Sequence, residues 1–277
     1  MKKYKKLAIA IYNIQFSLHP EKIEKNIRRM AEDKVFIFCL QEVVAYKNSD
    51  FIINNLLKKL GGHWKAICHV GRKKSLLGVG NCIIWNSKKI ELIKSQKRLL
   101  PYSKTLAIHE KIFSYLASGI TIPIQRRVII GEFKFNGEYI RISNIHLDHN
   151  GGLKNRLKQL KYFLKILHKD KSISKDIICG DFNCFDLLKT GRENTELKII
   201  LGDEYIDASS NICWNADLFY IDTTGGSKLF KYFIRKFNIH IKRRLDYIFV
   251  RNIAVSSCKK LPLKGSDHDP IIAHLSI

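Results

Sequence analysis

The sequence predicts a mixed α/β fold, because apolar strand-like runs alternate with segments of helical periodicity. The clearest helix begins at Pro20, after which Ile23, Ile27 and Met30 recur at the spacing of one helix face. The clearest hairpin surrounds Asn136-Gly137, a dipeptide typical of a two-residue type I′ turn. A hairpin among strands and helices argues against a simple doubly wound sheet.

The remaining elements follow from the same patterns. Apolar runs predict strands at 7–14, 35–40, 64–70, 81–85, 89–94, 127–135, 138–146, 177–180, 245–250 and 271–275. Two more helices are expected at about 49–60 and 153–168, the second with leucines on its buried face and its Lys and Arg outward. Residues 95–126 have no clear pattern, and we favour a substrate-side loop there over a lid. Residues 184–240 are predicted to be rich in loops and include a basic, aromatic patch at 228–240 that fits base stacking, a membrane surface or core packing.

The charge is strongly unbalanced: 49 Lys and Arg stand against 25 Asp and Glu, for a net charge of +24. Such a field attracts polyanions, so nucleic acid or an anionic membrane surface is the expected partner. A basic protein without such a partner is the alternative.

The seven cysteines are scattered, odd in number and without a CxxC pair, which predicts free thiols and no zinc site. The basic, then apolar N-terminal segment imitates a signal peptide, but its apolar part is short, and we interpret it as the first strand. No run approaches the length of a membrane-spanning helix. We therefore expect a cytoplasmic protein.

The most informative stretch is Ile-Ile-Cys-Gly-Asp-Phe-Asn at 177–183. A buried strand that ends there would point Asp181 and Asn183 the same way, since they are two residues apart. A carboxylate can orient a metal ion or an attacking water, an amide can donate to an anionic oxygen, and Gly180 permits close approach of another backbone. Alone, the stretch fits an ordinary turn equally well.

Other strand ends carry polar residues too, and each has a structural explanation when considered alone. Together they form an ordered set. The set is Asn13, Gln41-Glu42, Asn144-x-His146-Leu147, Gly180-Asp181-Phe182-Asn183, Leu245-Asp246-Tyr247 and Ser266-Asp267-His268-x-Pro270.

In this order the motifs resemble those of the endonuclease/exonuclease/phosphatase superfamily, which includes DNase I, over residues 9–275. The resemblance implies a four-layered α/β/β/α sandwich (DNase I-like) in which two central mixed sheets are flanked by helices. It also implies a single domain over residues 1–277 and magnesium-dependent hydrolysis of phosphate esters.

Carried over motif by motif, the resemblance implies a metal site formed by Glu42, Asn13 and Asp267. The expected ion is Mg²⁺, with Mn²⁺ as a substitute, because Mg²⁺ prefers oxygen ligands and phosphate.

The resemblance likewise implies the catalytic groups. His268, oriented by Asp246, would activate the attacking water, and Asp181 would orient that water or act as base. Asn183 and His146 would donate to the phosphate oxygens, and His146 would protonate the leaving group. Three further residues are expected to bind substrate: Arg127, Asn144 and Arg156.

The substrate is less determined. The Asn-x-His-Leu form at 144–147 resembles the branch with sphingomyelinases, deadenylases and tyrosyl-DNA phosphodiesterases. The charge favours a nuclease that acts as a monomer on DNA or RNA. The alternatives are a sphingomyelinase- or phosphoinositide-type enzyme at an anionic membrane or phospholipid, and a non-catalytic basic protein that binds nucleic acid.

Overall fold

The computed structural model describes residues 6–45, 51–71, 78–102, 108, 111–112, 115, 125–170, 172–184, 191–220 and 228–277. Most of the segment interpreted as a substrate-side loop therefore lies outside the described residues. The statements below concern the described part of the chain.

Five helices are described. They are α1 (Pro20–Glu32), α2 (Phe51–Leu60), α3 (Gly152–Leu167), α4 (Arg192–Leu201) and α5 (Lys228–Lys236). The three helices predicted from periodicity are confirmed, and Ile23, Ile27 and Met30 are buried on α1 as expected. The prediction missed α4, whose hydrophobic residues do not form a clear stripe, and it treated α5 only as a basic, aromatic patch.

The described strands are more numerous than predicted. They are β1 (Lys6–Asn13), β2 (Ile37–Ala45), β3 (Trp64–Val70), β4 (Gly78–Asn86), β5 (Glu91–Leu99), β6 (Arg127–Phe135), β7 (Glu138–His146), β8 (Lys175–Asp181), β9 (Ile206–Asp207), β10 (Ala216–Asp217), β11 (Lys242–Arg243), β12 (Asp246–Arg251), β13 (Ala254–Lys260) and β14 (Ile271–Ser276). Every predicted strand is confirmed: 64–70, 127–135 and 138–146 have the predicted ends, and the other predicted strands have shifted ends. The missed strands are three two-residue pieces and the largely exposed edge strand β13.

Most of these strands form two six-stranded sheets, with the orders β13-β14-β1-β2-β4-β3 and β5-β6-β7-β8-β12-β9. Each sheet contains one parallel pair, β1 with β2 and β7 with β8, among antiparallel neighbours. The Asn136-Gly137 turn between β6 and β7 has positive φ at both residues, as a type I′ turn requires. Both sheets are therefore mixed, as the family resemblance implies.

The sheets pack face to face around a core that takes side chains from both, such as Ile9 and Ile37 from the first and Ile129 and Ile177 from the second. Helices α1 and α2 cover the outer face of the first sheet, and α3 and α4 that of the second. The layers thus follow the predicted α/β/β/α order. None of the described helices is long and apolar enough to cross a membrane.

Candidate active site

The candidate site lies where the two sheets meet at the ends of β1 and β8. The amide Nδ2 of Asn13 donates to Oδ2 of Asp181 at 2.9 Å, which joins the two sheets. The hydroxyl of Ser266 donates to the carbonyl of Asn13 at 2.7 Å. The first, central and last motifs of the sequence are thereby brought to one place.

Asp246 and His268 form a hydrogen-bonded pair in this site. Nδ1 of His268 lies 2.8 Å from Oδ2 of Asp246, and both side chains are buried. Burial acts to lower the pKa of His268, but the carboxylate of Asp246 and the charges of Asp267 and Asp181 outweigh it and hold the pKa well above its ordinary value. Because Nδ1 faces Asp246, Nε2 is the ring atom left to handle a proton.

A residue to which the motifs assign no role, Asn215, holds Asp246 in place. Its Nδ2 donates to Oδ2 of Asp246, and its Oδ1 accepts from the backbone N–H groups of Leu245 and Asp246 at 3.0 and 3.2 Å. The backbone carbonyl of Asn215 also accepts from the N–H of Asp269. Its position after Trp214 in a loop-rich stretch offers no periodic signal, so only tertiary structure reveals this role.

Asp181 is buried and held by two donors. The N–H of Asn183 donates to its Oδ1 at 2.8 Å, while Oδ2 accepts from Asn13. Burial and the nearby Asp246 nevertheless raise the pKa of Asp181 to about 6. Asn183 uses one of its own amide hydrogens on the carbonyl of Leu147, 2.9 Å away.

Gly180 explains how β7 and β8 approach at this point. Its φ is +134°, and a Cβ built on it would lie 2.0 Å from the carbonyl oxygen of Ile145. The close backbone approach predicted for this glycine is therefore confirmed, and a side chain here would separate the strands that carry His146 and Asp181.

Glu42 does not lie at a strand end, as the sequence suggested, but inside β2, which continues to Ala45. The pairing of β2 with β4 shifts between Leu40 and Val43, and Glu42 has a φ of +58°. This is a β-bulge, which redirects a side chain within a strand. Burial and then the carboxylate of Asp267 raise the pKa of Glu42 to about 7, so these two acids share one region of the site.

Asn144 lies between the sheets and fills the gap that the bulge leaves. Its Nδ2 donates to the carbonyls of Leu40 and Cys82, each at 2.9 Å, and its Oδ1 accepts from Nε2 of Gln41 at 2.7 Å. Leu40 and Cys82 are the last pair before the register shift. Both amide hydrogens of Asn144 are thus used inside the protein, and the structure gives it a positioning role instead of the expected contact with substrate.

Arg126 binds two histidines, of which His146 lies beside Asp181. Its Nη1 and Nη2 donate to Nδ1 of His146 at 3.3 Å and to Nδ1 of His149 at 2.5 Å. Burial, followed by the positive charge of Arg126, lowers the pKa of both imidazoles well below its ordinary value. Both rings are therefore neutral, and since each Nδ1 accepts, the proton resides on Nε2. Nε2 of His146 lies 3.5 Å from Oδ2 of Asp181.

The resemblance pointed to Arg127, one residue away, as a substrate ligand. The Nη1 of Arg127 donates to the carbonyl of Gln125, and its guanidinium lies against Gly71 at the edge of the other sheet. Successive residues of an extended chain point to opposite sides. Arg126 therefore points toward His146 and His149, whereas Arg127 points toward Gly71.

The prediction that the basic residues of α3 face outward is wrong for Arg156. It is buried, and its Nη2 donates to Glu193 on α4 at 2.6 Å. Its neighbours Asn155 and Gln159 bind Oδ2 and the backbone N–H of Asp148. The buried polar face of α3 therefore fixes the turn that follows His146, and Arg156 supports the site from behind.

The model of the Endonuclease/Exonuclease/phosphatase family matches residues 10–268 of the chain. This span begins before Asn13 and ends at His268, so it contains every candidate site residue. The chain belongs to the endonuclease/exonuclease/phosphatase family. It is accordingly assigned to the phosphoric ester hydrolases.

Solved structures share the fold of this family member. TDP2 of D. rerio, complexed with single strand DNA product, is 16% identical, with 99% of this chain and 100% of that chain covered and a TM-score of 0.68. A family protein from Leptotrichia buccalis is 17% identical (98% and 100% covered, TM-score 0.67), and a mannosyl-6-phosphatase from Bacteroides thetaiotaomicron is 18% identical (98% and 100% covered, TM-score 0.64). A comparison with curated protein sequences found no match. At these identities the structural likeness shows the fold.

Two groups of side chains in this family member could hold a cation. Asp181, Asp246 and His268 offer ligand atoms within 4.8 Å of one another. In that group, however, His268 and Asp246 are hydrogen-bonded to each other, and Asp181 already accepts hydrogen bonds from Asn13 and Asn183. Glu42 and Asp267 fit a cation better, because both are carboxylates. Burial and then the charge of Asp267 raise the pKa of Glu42, and a positive ion would stabilise the two charged carboxylates.

The Asn144 network yields a stability prediction. Asn144→Leu removes a donor from two buried carbonyls and an acceptor from the Gln41 amide, so we expect the free energy of unfolding to fall by about 3–5 kcal/mol. Ser143→Ala is the matched control, because within the described residues the buried Ser143 hydroxyl has no hydrogen-bond partner. Urea unfolding of both variants measures the difference. Equal stability of the two variants would contradict the assigned role.

The neutral state of His149 yields a pH prediction. Its pKa is lowered in the folded state, so its contribution to stability is complete above the unfolded value of about 6.5 and is lost as the pH falls. His149→Asn keeps an acceptor for Arg126 without the titration. We expect the stability lost between about pH 7.5 and 5.5 to shrink by up to ~1.4 kcal/mol. Thermal unfolding at both pH values tests this, with the surface variant His168→Asn as control; an unchanged loss in His149→Asn would contradict the neutral assignment.

Proposed function

We propose that this phosphoric ester hydrolase is a Mg²⁺-dependent phosphodiesterase that cleaves DNA or RNA. The observation that carries the proposal is the convergence of a carboxylate–imidazole pair, a second buried carboxylate and the neutral imidazole of His146 around one point between the sheets. Such a set can activate water on one side of a phosphorus atom and bind its oxygens on the other.

The chain's own residues supply the proton transfer. In its neutral form, His268 takes the proton of the attacking water through Nε2 while the new O–P bond forms, and Asp246 stabilises the resulting imidazolium through Nδ1. Asp181, held by Asn13 and Asn183, orients that water. The bond from phosphorus to the leaving oxygen breaks, and the leaving oxygen takes a proton from solvent.

His146 binds the charge that develops on the phosphate. Arg126 keeps its Nδ1 occupied, so Nε2 carries the hydrogen and donates to a nonbridging oxygen. The fixed positive charge of Arg126 lies behind this donor, and it also acts to lower the pKa of Glu42, which places Arg126 within electrostatic reach of both halves of the site.

Glu42 and Asp267 would hold the divalent cation. When bound, the ion would neutralise charge on the substrate phosphate. Asn13, which the family resemblance placed beside the ion, uses Nδ2 on Asp181 and Oδ1 on the N–H of Gln15, so its contribution here is to join the two sheets.

Nucleic acid is the substrate that the charge favours. A net charge of +24 strengthens binding to a polyphosphate backbone through counterion release, whereas a zwitterionic head group gains little from it. The complex of D. rerio TDP2 with single strand DNA supports this choice by analogy within the same fold.

The first test is cleavage of end-labelled single- and double-stranded DNA and RNA with Mg²⁺ or EDTA. We expect cleavage only with Mg²⁺, and we expect His268→Ala to lower turnover by roughly 10²–10⁴-fold, because the water then lacks its proton acceptor. His274→Ala, on β14, is the matched control, since that histidine lies on a strand outside the site. Hydrolysis of sphingomyelin or phosphoinositide vesicles without cleavage of any oligonucleotide would contradict the proposal.

Metal use is tested separately. Glu42→Ala removes a proposed ligand, so we expect the Mg²⁺ concentration for half-maximal rate to rise at least about tenfold. Glu132→Ala, another buried glutamate but on β6, serves as the control. Titration of Mg²⁺ and Mn²⁺ against the rate of each variant gives the comparison. An unchanged metal requirement in Glu42→Ala would remove this residue from the ligand set.

A further inference from the structure

The segment at the end of α5 exposes an unusual amount of aromatic surface. Tyr232, Phe233 and Phe237 are 54%, 45% and 60% exposed, and Ile239 just beyond them is 43% exposed. Single exposed apolar residues are normal, but several adjacent ones usually mark a binding surface. We call Tyr232, Phe233, Lys236, Phe237 and Ile239 the aromatic surface.

The rings of the aromatic surface are arranged with a cation among them. Phe233 and Phe237 are nearly parallel, with ring centroids 5.9 Å apart and 7° between their planes. Nζ of Lys236 lies 5.4 Å from the ring centre of Tyr232 and 5.8 Å from that of Phe237. Flat apolar ring faces and a positive charge are therefore adjacent on the same patch of surface.

The helix that carries the aromatic surface also reaches the active site. Arg235, on that helix, lines a pocket of ≈ 560 Å³ whose wall also includes Ser266 and Asp267. Phe219 and Tyr220 line the same pocket, and the short helical turn that contains them packs against α5. The pocket thus runs from the carboxylate of Asp267 to the helix that carries the aromatic surface.

Single-stranded nucleic acid fits this arrangement. Its bases expose flat faces that stack on aromatic rings, and its phosphates are attracted to interspersed cations. A duplex hides those faces in its own stack. Lys236 lies over the rings of Tyr232 and Phe237, so a cation stands where the phosphate of a stacked nucleotide would lie.

We propose that the aromatic surface binds unpaired nucleotides of the substrate and gives the enzyme a preference for single strands. The inference rests on the proposed function, because it places these nucleotides beside a phosphodiester held near Asp267. Stacking supplies affinity without base identity, so the preference concerns strandedness and not sequence.

The test measures binding without turnover. A fluorescein-labelled oligothymidylate of about 12 nucleotides and a duplex of the same length are titrated in EDTA with the full chain, its Phe233→Ala/Phe237→Ala variant and a control. The control is Tyr139→Ala on β7, because Tyr139 is also an exposed ring (49%) with a lysine, Lys134, over its face. Thermal unfolding confirms that each variant is folded.

We expect the double variant to raise Kd for the single strand at least about tenfold, to change Kd for the duplex less than about twofold, and to leave the salt dependence unchanged. Lys236→Gln should instead lower the slope of log K against log salt by roughly 0.7, the value for one phosphate contact on a single strand. The Tyr139→Ala control should bind like the unmodified chain.

Three results would overturn the inference. One is unchanged single-strand affinity in the double variant. Another is an equal loss of affinity for single strand and duplex. The third is a double variant that keeps its affinity for the oligonucleotides but loses binding to phosphatidylserine vesicles or self-association. Because these measurements need no cleavage, ring-dependent binding without nuclease activity would contradict the proposed function and leave this inference standing.

Discussion

The active site depends on a defect in a β-ladder. At the bulge in β2, regular pairing with β4 is interrupted after Leu40 and Cys82, whose carbonyls lie next to the interruption. Asn144 reaches both from the facing sheet. The side chain of Asn144 thereby binds the backbone at the bulge and aligns the two sheets. The bulge directs Glu42 into the site, and its contact with Asn144 fixes the position of Glu42 relative to β7, the strand that carries His146.

The electrostatics of the site follow from that alignment. Glu42 and Asp181 come from different sheets, and bringing them into one buried region with Asp267 raises the pKa of Glu42 and opposes its ionisation. Arg126 and the imidazolium form of His268 offset this, and each of the two side chains is hydrogen-bonded to a partner that fixes its orientation. The site is thus a set of opposed charges held apart by the sheets, an arrangement that favours binding of both a cation and an anionic ester.

Sequence reasoning located the strands, their polar ends and the order of the motifs, because periodicity and short motifs are local properties. It placed Glu42 at a strand end because a bulge depends on pairing with β4, which no local pattern reports. It named Arg127 as a substrate ligand and did not consider Arg126, because the face that a residue takes at the start of a strand depends on register. Asn215 and His149 were missed for a related reason: their roles exist only through partners distant in the chain or on another element.

The sheets and the segments outside them have different tasks. The groups that handle the proton and the phosphate charge lie at strand ends or in turns tied to the sheets, and both sheets are buried on their facing sides, so their positions are rigid. The aromatic surface and the pocket wall of Phe219 and Tyr220 belong to short elements between β10 and β11, outside the two large sheets. Substitutions there can alter the substrate without disturbing the sheet alignment on which the chemistry depends. The structures that share this fold include a protein bound to DNA and a mannosyl-6-phosphatase, so the sandwich alone does not determine the substrate.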